Sequence, residues 1–135
     1  LFEAIDTETV VKLFAARNLP RISETQRNKR EAAIQIALRA GADVPLEIVR
    51  LCAMGLKHAY TVAASSCQAA ASEVRLAVAL LRIGMTAAQT NIESRLTSLT
   101  DAGYSKTVIE EISQLSEEGL TDARAAELMT QARPA

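Results

Sequence analysis

Residues 74–99 read VRLAVALLRIGMTAAQTNIESRLTSL. Aliphatic residues and alanine occupy most sides of a 3.6-residue helical repeat, so this stretch predicts one long α-helix. A helix that is apolar on most sides is buried on several faces, either in a core or in an oligomer interface. Gly84, Ala87 and Ala88 would let a neighbouring backbone approach closely.

The composition of the whole chain is typical of closely packed helices. Of its 135 residues 49% are apolar but only 3% are aromatic. Alanine, leucine, isoleucine and valine dominate the apolar set, which favours helices in contact through small side chains. This length suits a single domain, residues 1–135, that buries a core without disulfides or a structural metal.

The charge balance disfavours two classes of partner. Fifteen Lys and Arg nearly cancel sixteen Asp and Glu, so no global field draws the chain to nucleic acid or to an anionic membrane. Two Phe and no Trp offer little base stacking. The most apolar segment, Leu76 to Ile83, is interrupted by Arg82 and falls short of the roughly 20 residues of a membrane helix. We expect no nucleic-acid partner and no membrane partner.

The two cysteines, Cys52 and Cys67, have no second Cys or His at metal-ligand spacing, so a zinc site is not predicted. Both are expected to be buried and reduced, as in a cytoplasmic protein. The first residues do not read as a basic-then-apolar leader, and we expect a cytoplasmic location. The chain begins with Leu1 instead of Met, and we expect the domain to lack its N-terminal part.

Capping signals delimit two helices at the start of the chain. Asp6 can cap a first helix that ends near Asn18, before Leu19-Pro20. Ser23 and Gln26 have the spacing of a capping box, which predicts a second helix that ends at Gly41.

Further signals complete a bundle of about five to six helices around one long buried helix. Pro45 suits the first turn of a third helix, which extends to Tyr60. Small residues from Ser65 to Ser72 predict a break or a tight turn. After the long helix, Ser105 can cap a helix to about Leu115, and Thr121 can cap another to about Ala132. The predicted fold is an all-α helical bundle.

Little recognisable enzyme chemistry stands out. There is no phosphate loop, no nucleophile elbow and only one histidine, His58, to which we assign no role. Arg27, Lys29 and Arg30 form a charged run that suits a solvated helix face, with an anion site as the alternative.

Polar residues inside the apolar helix are more informative, because burying them is costly without a partner. Desolvation of Glu73 would raise its pKa toward the range of proton transfer, although a surface position or an ion pair with Arg is the simpler alternative. Asn91 could fix a polar ligand or could join two helices. The full set in or beside the helix is Glu73, Arg75, Arg82, Gln89, Asn91, Glu93 and Arg95.

A family resemblance follows from motifs that share one register from about Asp6 to Asp101. The first group is Leu19-Pro20-Arg21, Arg30, Gln35 and Val44-Pro45-Leu46, and the second is Ser72-Glu73, Ala77, Gly84, Asn91 and Asp101. In these residues the chain resembles the C-terminal domain of formiminotransferase-cyclodeaminase and the stand-alone methenyltetrahydrofolate cyclohydrolases.

The resemblance implies an all-helical homodimer that binds a tetrahydrofolate derivative in a cleft between helices. The reactions are hydrolysis of 5,10-methenyltetrahydrofolate and ammonia elimination from 5-formiminotetrahydrofolate, and neither demands a metal or an organic cofactor. By this resemblance Glu73 is the proton-transfer group, Asn91 orients the substrate, and Arg95 contacts the pterin or the glutamate tail. Cationic contacts for that tail are expected from Arg21, Arg27 and Arg30.

The chain also departs from the family pattern. The glycine-rich turn with which the family pattern opens is absent from this sequence, and Ser66-Cys67 stands where relatives have Gly-Asn. Glu73 replaces an Asp, and Arg95 replaces a second Asn. Because misplacement of a reacting group by about 1 Å can cost about a hundredfold in rate, these changes bear on activity more than on fold. The alternative function is a catalytically inactive helical dimer that serves as a folate-binding or assembly module.

Overall fold

The structure, a computed structural model, describes the backbone of residues 2–65 and 68–131 and the side chains of residues 7–65 and 69–131. In these ranges the chain forms four α-helices, one short 3₁₀ turn and no strand, so the predicted all-α fold is confirmed. The helices are α1, Phe2–Arg17; α2, Glu24–Ser65; α3, Ala71–Leu96; and α4, Ala102–Gln131; the 3₁₀ turn is Gln68–Ala70.

The predicted number of helices, five to six, is wrong for the described residues, because two pairs of expected helices are continuous. Gly41 and Pro45 lie inside the 42 residues of α2. Thr121 lies inside the 30 residues of α4. Packing of long apolar faces outweighs the local preference of such residues for helix ends. The expected break between Ser65 and Ser72 is confirmed, since α2 ends at Ser65.

The continuity of α2 through its proline has a clear cause. A proline inside a helix leaves the carbonyl four residues earlier without its N–H donor, and for Pro45 that carbonyl belongs to Gly41. Arg95 of α3 donates from Nη1 to this oxygen over 2.7 Å. The missing side chain of Gly41 provides the space for this contact, because a Cβ there would lie 2.9 Å from Arg95 Nη1 and 3.1 Å from Thr9 Cγ2. The glycine, the proline and the arginine therefore form one arrangement that keeps α2 continuous.

Close contacts at glycines show that α2 and α3 are antiparallel. The facing pairs are Gly41 with Arg95, Cys52 with Gly84, and Gly55 with Leu81. From one pair to the next, the residue number in α2 increases by as much as the residue number in α3 decreases. The absence of side chains at Gly55 and Gly84 brings the two helices close together, as expected for the small residues of this chain.

The last long helix, α4, runs antiparallel to α3 and parallel to α2. The contacts that give these directions are Arg82 with Glu127, Gln89 with Ser116, Asp43 with Tyr104, and Arg50 with Glu111. The three helices enclose one hydrophobic core. Its largest fully buried side chains are Val49, Leu56, Val78, Met85 and Ile92.

The turn between α1 and α2 is held by a capping box, as predicted. Gln26 N donates to Ser23 Oγ over 3.1 Å, and Ser23 N donates to Gln26 Oε1 over 3.1 Å. Arg30 Nε donates over 3.0 Å to the carbonyl of Arg17, the last residue of α1. The arginine thereby satisfies one of the carbonyls that a helix end leaves without a donor.

The turn between α3 and α4 is held in a similar way. Thr100 N donates to Gln35 Oε1 of α2 over 3.0 Å. Asp101 Oδ1 accepts the N–H of Tyr104 over 2.9 Å, so Asp101, and not the predicted Ser105, caps α4. None of the helices within the described ranges is long and apolar enough to cross a membrane.

Candidate functional site

Glu73 and Asn91 both lie on α3, and both side chains are exposed. Asn91 follows Glu73 after about five helical turns, so the two residues leave the helix on the same side but about 27 Å apart along its axis. Neither side chain forms a hydrogen bond or an ion pair with any of the described residues. A single chain therefore does not bring the two groups into one pocket.

Arg95 lies one turn beyond Asn91 and is partly buried. Its guanidinium points toward α2, where it holds the carbonyl of Gly41. A contact between Arg95 and a substrate would have to compete with this hydrogen bond. Its role in substrate binding stays a prediction, while its role in the fold is visible.

The three arginines that are candidates for the glutamate tail lie in or near the turn between α1 and α2. Arg30 is bound to the carbonyl of Arg17, and Arg27 Nη1 donates to the carbonyl of Ile22 over 3.4 Å. Arg21 is exposed in the turn itself. The three cations are close along the chain, two of them hold backbone carbonyls, and their role at the glutamate tail stays a prediction.

These arginines are nearer to Asn91 than to Glu73. Residues 21–30 precede Gly41 along the chain, and Gly41 faces Arg95 near the C-terminal end of α3. Glu73 lies at the opposite end of that helix. The candidate residues therefore form two groups at the two ends of α3.

A row of large aliphatic side chains separates the two groups. Leu76 and Leu80 are each 61% exposed, and Ile83 is 67% exposed. A cavity of about 550 Å³ opens beside them and is lined by Ala79, Arg82, Ile83, Thr86 and Ala87. We call the side of α3 that carries Leu76, Ala79, Leu80, Ile83 and Ala87 the outer face. The burial on several sides that was expected for this helix is not present here in a single chain.

A second apolar cavity, of about 410 Å³, lies between α1 and α2 and is lined mainly by alanine and other aliphatic side chains, among them Leu19 and Ile36. Phe14, Val10 and Val11 of α1 are also exposed. Among the described residues that line the cavity, the only charged one is Lys12, which pairs with Glu8 over 2.6 Å. This region contains none of the candidate catalytic residues.

Sequence reasoning missed a polar cluster between α2 and α4. Tyr104 donates its hydroxyl to Asp43 Oδ1 over 2.6 Å, and the Arg39 guanidinium lies 4.2 Å from the centre of the Tyr104 ring. Arg39 also approaches Asp101 at 3.7 Å. Burial, followed by the hydrogen bond to Asp43, raises the pKa of Tyr104 above its usual range. No local sequence motif predicts the cluster, because its members come into contact only when α2 and α4 pack against each other.

Cys52 is buried and free, as expected, and burial raises the pKa of its thiol. Cys67 and Ser66, where the sequence departs from the Gly-Asn of its relatives, lie outside the described residues. In the described part of the chain, no group of three His, Cys, Asp or Glu residues could hold a metal ion.

Comparisons with known proteins agree on one family. No curated protein sequence matches the chain. The crystal structure of formiminotetrahydrofolate cyclodeaminase from Thermotoga maritima matches with a TM-score of 0.82 at 19% sequence identity. That match covers 96% of this chain and 61% of the cyclodeaminase, so the chain spans about three fifths of that protein. A model of the formiminotransferase-cyclodeaminase family matches residues 2–114, and the chain therefore belongs to this family.

Proposed function

We propose that this chain acts in tetrahydrofolate one-carbon metabolism, as a methenyltetrahydrofolate cyclohydrolase or a formimidoyltetrahydrofolate cyclodeaminase. The observation that carries the proposal is the family match over residues 2–114, which include Glu73 and Asn91. The fold shared with a formiminotetrahydrofolate cyclodeaminase supports it.

Both reactions need only modest assistance from the protein. Hydrolysis requires a water directed at the amidinium carbon of the methenyl group, with removal of one proton. Cyclisation requires delivery of a proton to the departing amine. A carboxylate and a few amide hydrogen bonds can serve either reaction, so no metal or organic cofactor enters the proposal.

Glu73 is the proposed proton-transfer group and Asn91 the residue that orients the substrate. The carboxylate of Glu73 is exposed and has no partner within the described residues, so it is available to a water or to an amine. Asn91 carries both a donor and an acceptor, which suits the amide-like edge of a pterin. Arg95, one turn away, is a further proposed contact for the pterin or the glutamate tail.

The glutamate tail of a folate would lie toward the turn between α1 and α2. Arg21, Arg27 and Arg30 concentrate positive charge there, and a guanidinium binds carboxylate through paired hydrogen bonds. Arg21 is the most available of the three, because Arg27 and Arg30 already donate to backbone carbonyls.

A homodimer and a cytoplasmic location belong to the same proposal. The exposed aliphatic side chains of the outer face support a partner subunit, because exposed apolar patches of this kind mark interaction surfaces. The free thiol of Cys52 fits a reducing compartment.

The test is hydrolysis of 5,10-methenyltetrahydrofolate followed by its absorbance, with ammonia release from 5-formiminotetrahydrofolate as the parallel assay. The chain is expected to accelerate one of the two reactions. Glu73→Gln should lower kcat by about 100-fold or more, the usual contribution of general acid–base catalysis. Glu117→Gln, which changes an exposed glutamate of α4, is the matched control and should keep the full rate.

Equal rates for the chain and for Glu73→Gln would remove Glu73 from the mechanism. No turnover of either substrate above the uncatalysed rate would contradict an enzymatic function.

A second function, a folate-binding or assembly module without catalysis, is favoured by one specific observation. Arg95 stands where relatives have a second Asn, and it holds the Gly41 carbonyl instead of reaching outward. Calorimetry with tetrahydrofolate distinguishes the possibilities. Binding without turnover would support the module, and absence of binding would leave an assembly role alone.

A further inference from the structure

The buried apolar side chains form two groups, and the boundary between them crosses α2. Among the described residues, the hydrophobic core of the bundle begins with Ala42, and its other members all lie later in the sequence. Ala16, Ile34 and Ala37 are buried as well, but they are not part of that core. Small clusters of this kind commonly accompany the main core of a domain. The apolar contacts of α2 are therefore divided close to Gly41.

The first helix, α1, packs against the part of α2 that precedes this boundary. On the α2 side, the cavity between the two helices is lined by side chains from Ala33 to Ala40. Thr9 of α1 is buried, and its Cγ2 would lie 3.1 Å from a Cβ at Gly41. The described side chains of α1 thus accompany the first part of α2. We call residues 7–41 the arm.

The boundary coincides with an interruption in the hydrogen bonds of α2. Pro45 has no N–H, so the Gly41 carbonyl lacks the bond that would continue the helix. The donor that replaces it, Arg95 Nη1 at 2.7 Å, belongs to α3. The turn of α2 between Gly41 and Pro45 is therefore held in part by a tertiary contact. A helix bends most readily at a proline.

Polar contacts also join the arm to the rest of the bundle. Gln35 accepts the N–H of Thr100 over 3.0 Å. Arg39 lies 3.7 Å from Asp101 and packs over the ring of Tyr104. The side chains of Arg39 and Asp101 are 55% and 54% exposed. Water can replace exposed contacts of this kind at a small cost in free energy, whereas loss of the core would be far more costly.

We propose that the arm opens as one unit from the bundle that begins at Ala42, with its hinge at Gly41–Pro45 and Arg95 as the latch. Opening breaks the hydrogen bond from Arg95 and the exposed polar contacts, but it leaves the hydrophobic core intact. The proposal concerns the fold and stands without the proposed function.

Opening has one consequence for the proposed function, on which this paragraph alone rests. The arm carries Arg21, Arg27 and Arg30, the cations proposed for the glutamate tail, whereas Asn91 belongs to the bundle. The distance between the tail contacts and the pterin contact would then change as the arm opens. Folates with tails of different length could be accommodated in this way.

Native-state hydrogen exchange of the full chain, measured by mass spectrometry, tests the opening. After correction for intrinsic rates, amides of residues 11–17 and 27–40 should exchange at least about 100-fold faster than those of residues 46–60. Small amounts of urea should accelerate both arm segments with the same slope, because one opening exposes one surface. Equal protection along the whole of α2 would overturn the proposal. So would protection that falls gradually toward the helix ends, since that pattern means fraying.

Substitution of the latch tests the role of Arg95. Arg95→Met weakens only the closed state, so the arm amides should exchange at least about tenfold faster. Arg75→Met, at an exposed arginine of the same helix, is the matched control and should leave them unchanged. In a Pro45→Ala background the effect of Arg95→Met should shrink, because α2 then supplies its own N–H. Unchanged arm exchange in Arg95→Met would overturn the latch.

A substitution in the core gives the converse test. Ile112 of α4 is buried in the core, which stays folded when the arm opens. Ile112→Val should therefore accelerate exchange of residues 46–60 by about fivefold and leave the arm amides unchanged. Equal acceleration of both groups would show that the arm opens only when the whole chain unfolds, and the proposal would be wrong.

Discussion

The inner side of α3 and its outer face use the same residue types in different ways. On the inner side Gly84 packs against Cys52, and Arg95 holds the Gly41 carbonyl. On the outer face aliphatic side chains are more than half exposed, and the polar ends lack partners within the described residues. The inner side thus completes the fold of one chain, while the outer face is completed by another molecule in our proposal.

Several residues behind the family resemblance stabilise the fold of the single chain, as the inner side of α3 does. Arg30, Gln35 and Asp101 hold helix ends and turns, and Pro45 shapes α2. These roles are contacts with the backbone of the same chain. The fold itself is shared with the cyclodeaminase, with a TM-score of 0.82 at only 19% identity. Among the residues proposed for chemistry, Glu73 and Arg95 are the ones that depart from the family pattern.

Truncation of one leucine on each side gives the largest contrast. Leu56→Ala should lower the free energy of unfolding by about 3 kcal/mol, since Leu56 is fully buried and its loss leaves a cavity. Leu80→Ala should change the stability of the isolated chain by less than about 0.5 kcal/mol. Urea denaturation followed by circular dichroism measures both. Equal losses at low protein concentration would show that Leu80 belongs to the core.

Removal of the arginine on the inner side should have the next largest effect. Arg95→Met keeps the bulk of the side chain but leaves the Gly41 carbonyl without its donor, at a cost of about 2 kcal/mol. Pro45→Ala restores a backbone N–H to that carbonyl. In the Pro45→Ala background, Arg95→Met should therefore cost at least about 1 kcal/mol less.

The four proteins of this double-mutant cycle are compared by urea denaturation. The same cost in both backgrounds would mean that Arg95 does not substitute for the missing N–H. Arg75→Met, at an exposed arginine of the same helix, is the control and should be nearly neutral.

Local signals predicted the helical class, the capping box at Ser23 and the break after Ser65, because each depends on residues close in sequence. They failed at Gly41 and Pro45. The signals there are those of helix ends, and the interaction that overrides them comes from Arg95, far away along the chain. A helix boundary that depends on a tertiary contact cannot be found from local preference.

The sequence predicted which residues belong to the candidate site but not how most of them are arranged in space. The spacing of Glu73 and Asn91 on one helix already implied that they lie on one side and about five turns apart. The cluster of Tyr104 with Asp43 and Arg39 was not predictable, since it needs the parallel packing of α2 and α4. The sequence could not show that the outer face is exposed in a single chain, because a buried helix face and an exposed aliphatic face have the same apolar pattern.

The capping box at the start of α2 should contribute less than the Arg95 contact. Ser23→Ala removes the acceptor for Gln26 N and should cost about 1 kcal/mol of stability. Thr25→Ala, at an exposed position in the same turn, is the control. The two variants are compared by thermal denaturation. A larger loss for Thr25→Ala would mean that the cap does not stabilise α2.

The contact of Tyr104 with Asp43 should have the smallest effect at neutral pH. Tyr104→Phe removes one partly exposed hydrogen bond, which is worth less than about 1 kcal/mol. Its signature is the pH dependence. Folding raises the pKa of Tyr104 above the ordinary value of about 10, so the folded state favours the neutral phenol. The stability from this group is complete below about pH 10 and is lost as the pH rises further.

The thermal midpoint of the native chain should therefore fall more steeply between about pH 10 and 12 than that of Tyr104→Phe. Tyr60, the other tyrosine, and the lysines are common to both proteins, so their titration cancels in the comparison. Parallel curves would show that Asp43 does not restrain the phenol. The Tyr104 hydroxyl would then be hydrated and would not join the two helices. The packing of α2 against α4 would depend on apolar contacts and on the ion pair of Arg50 with Glu111.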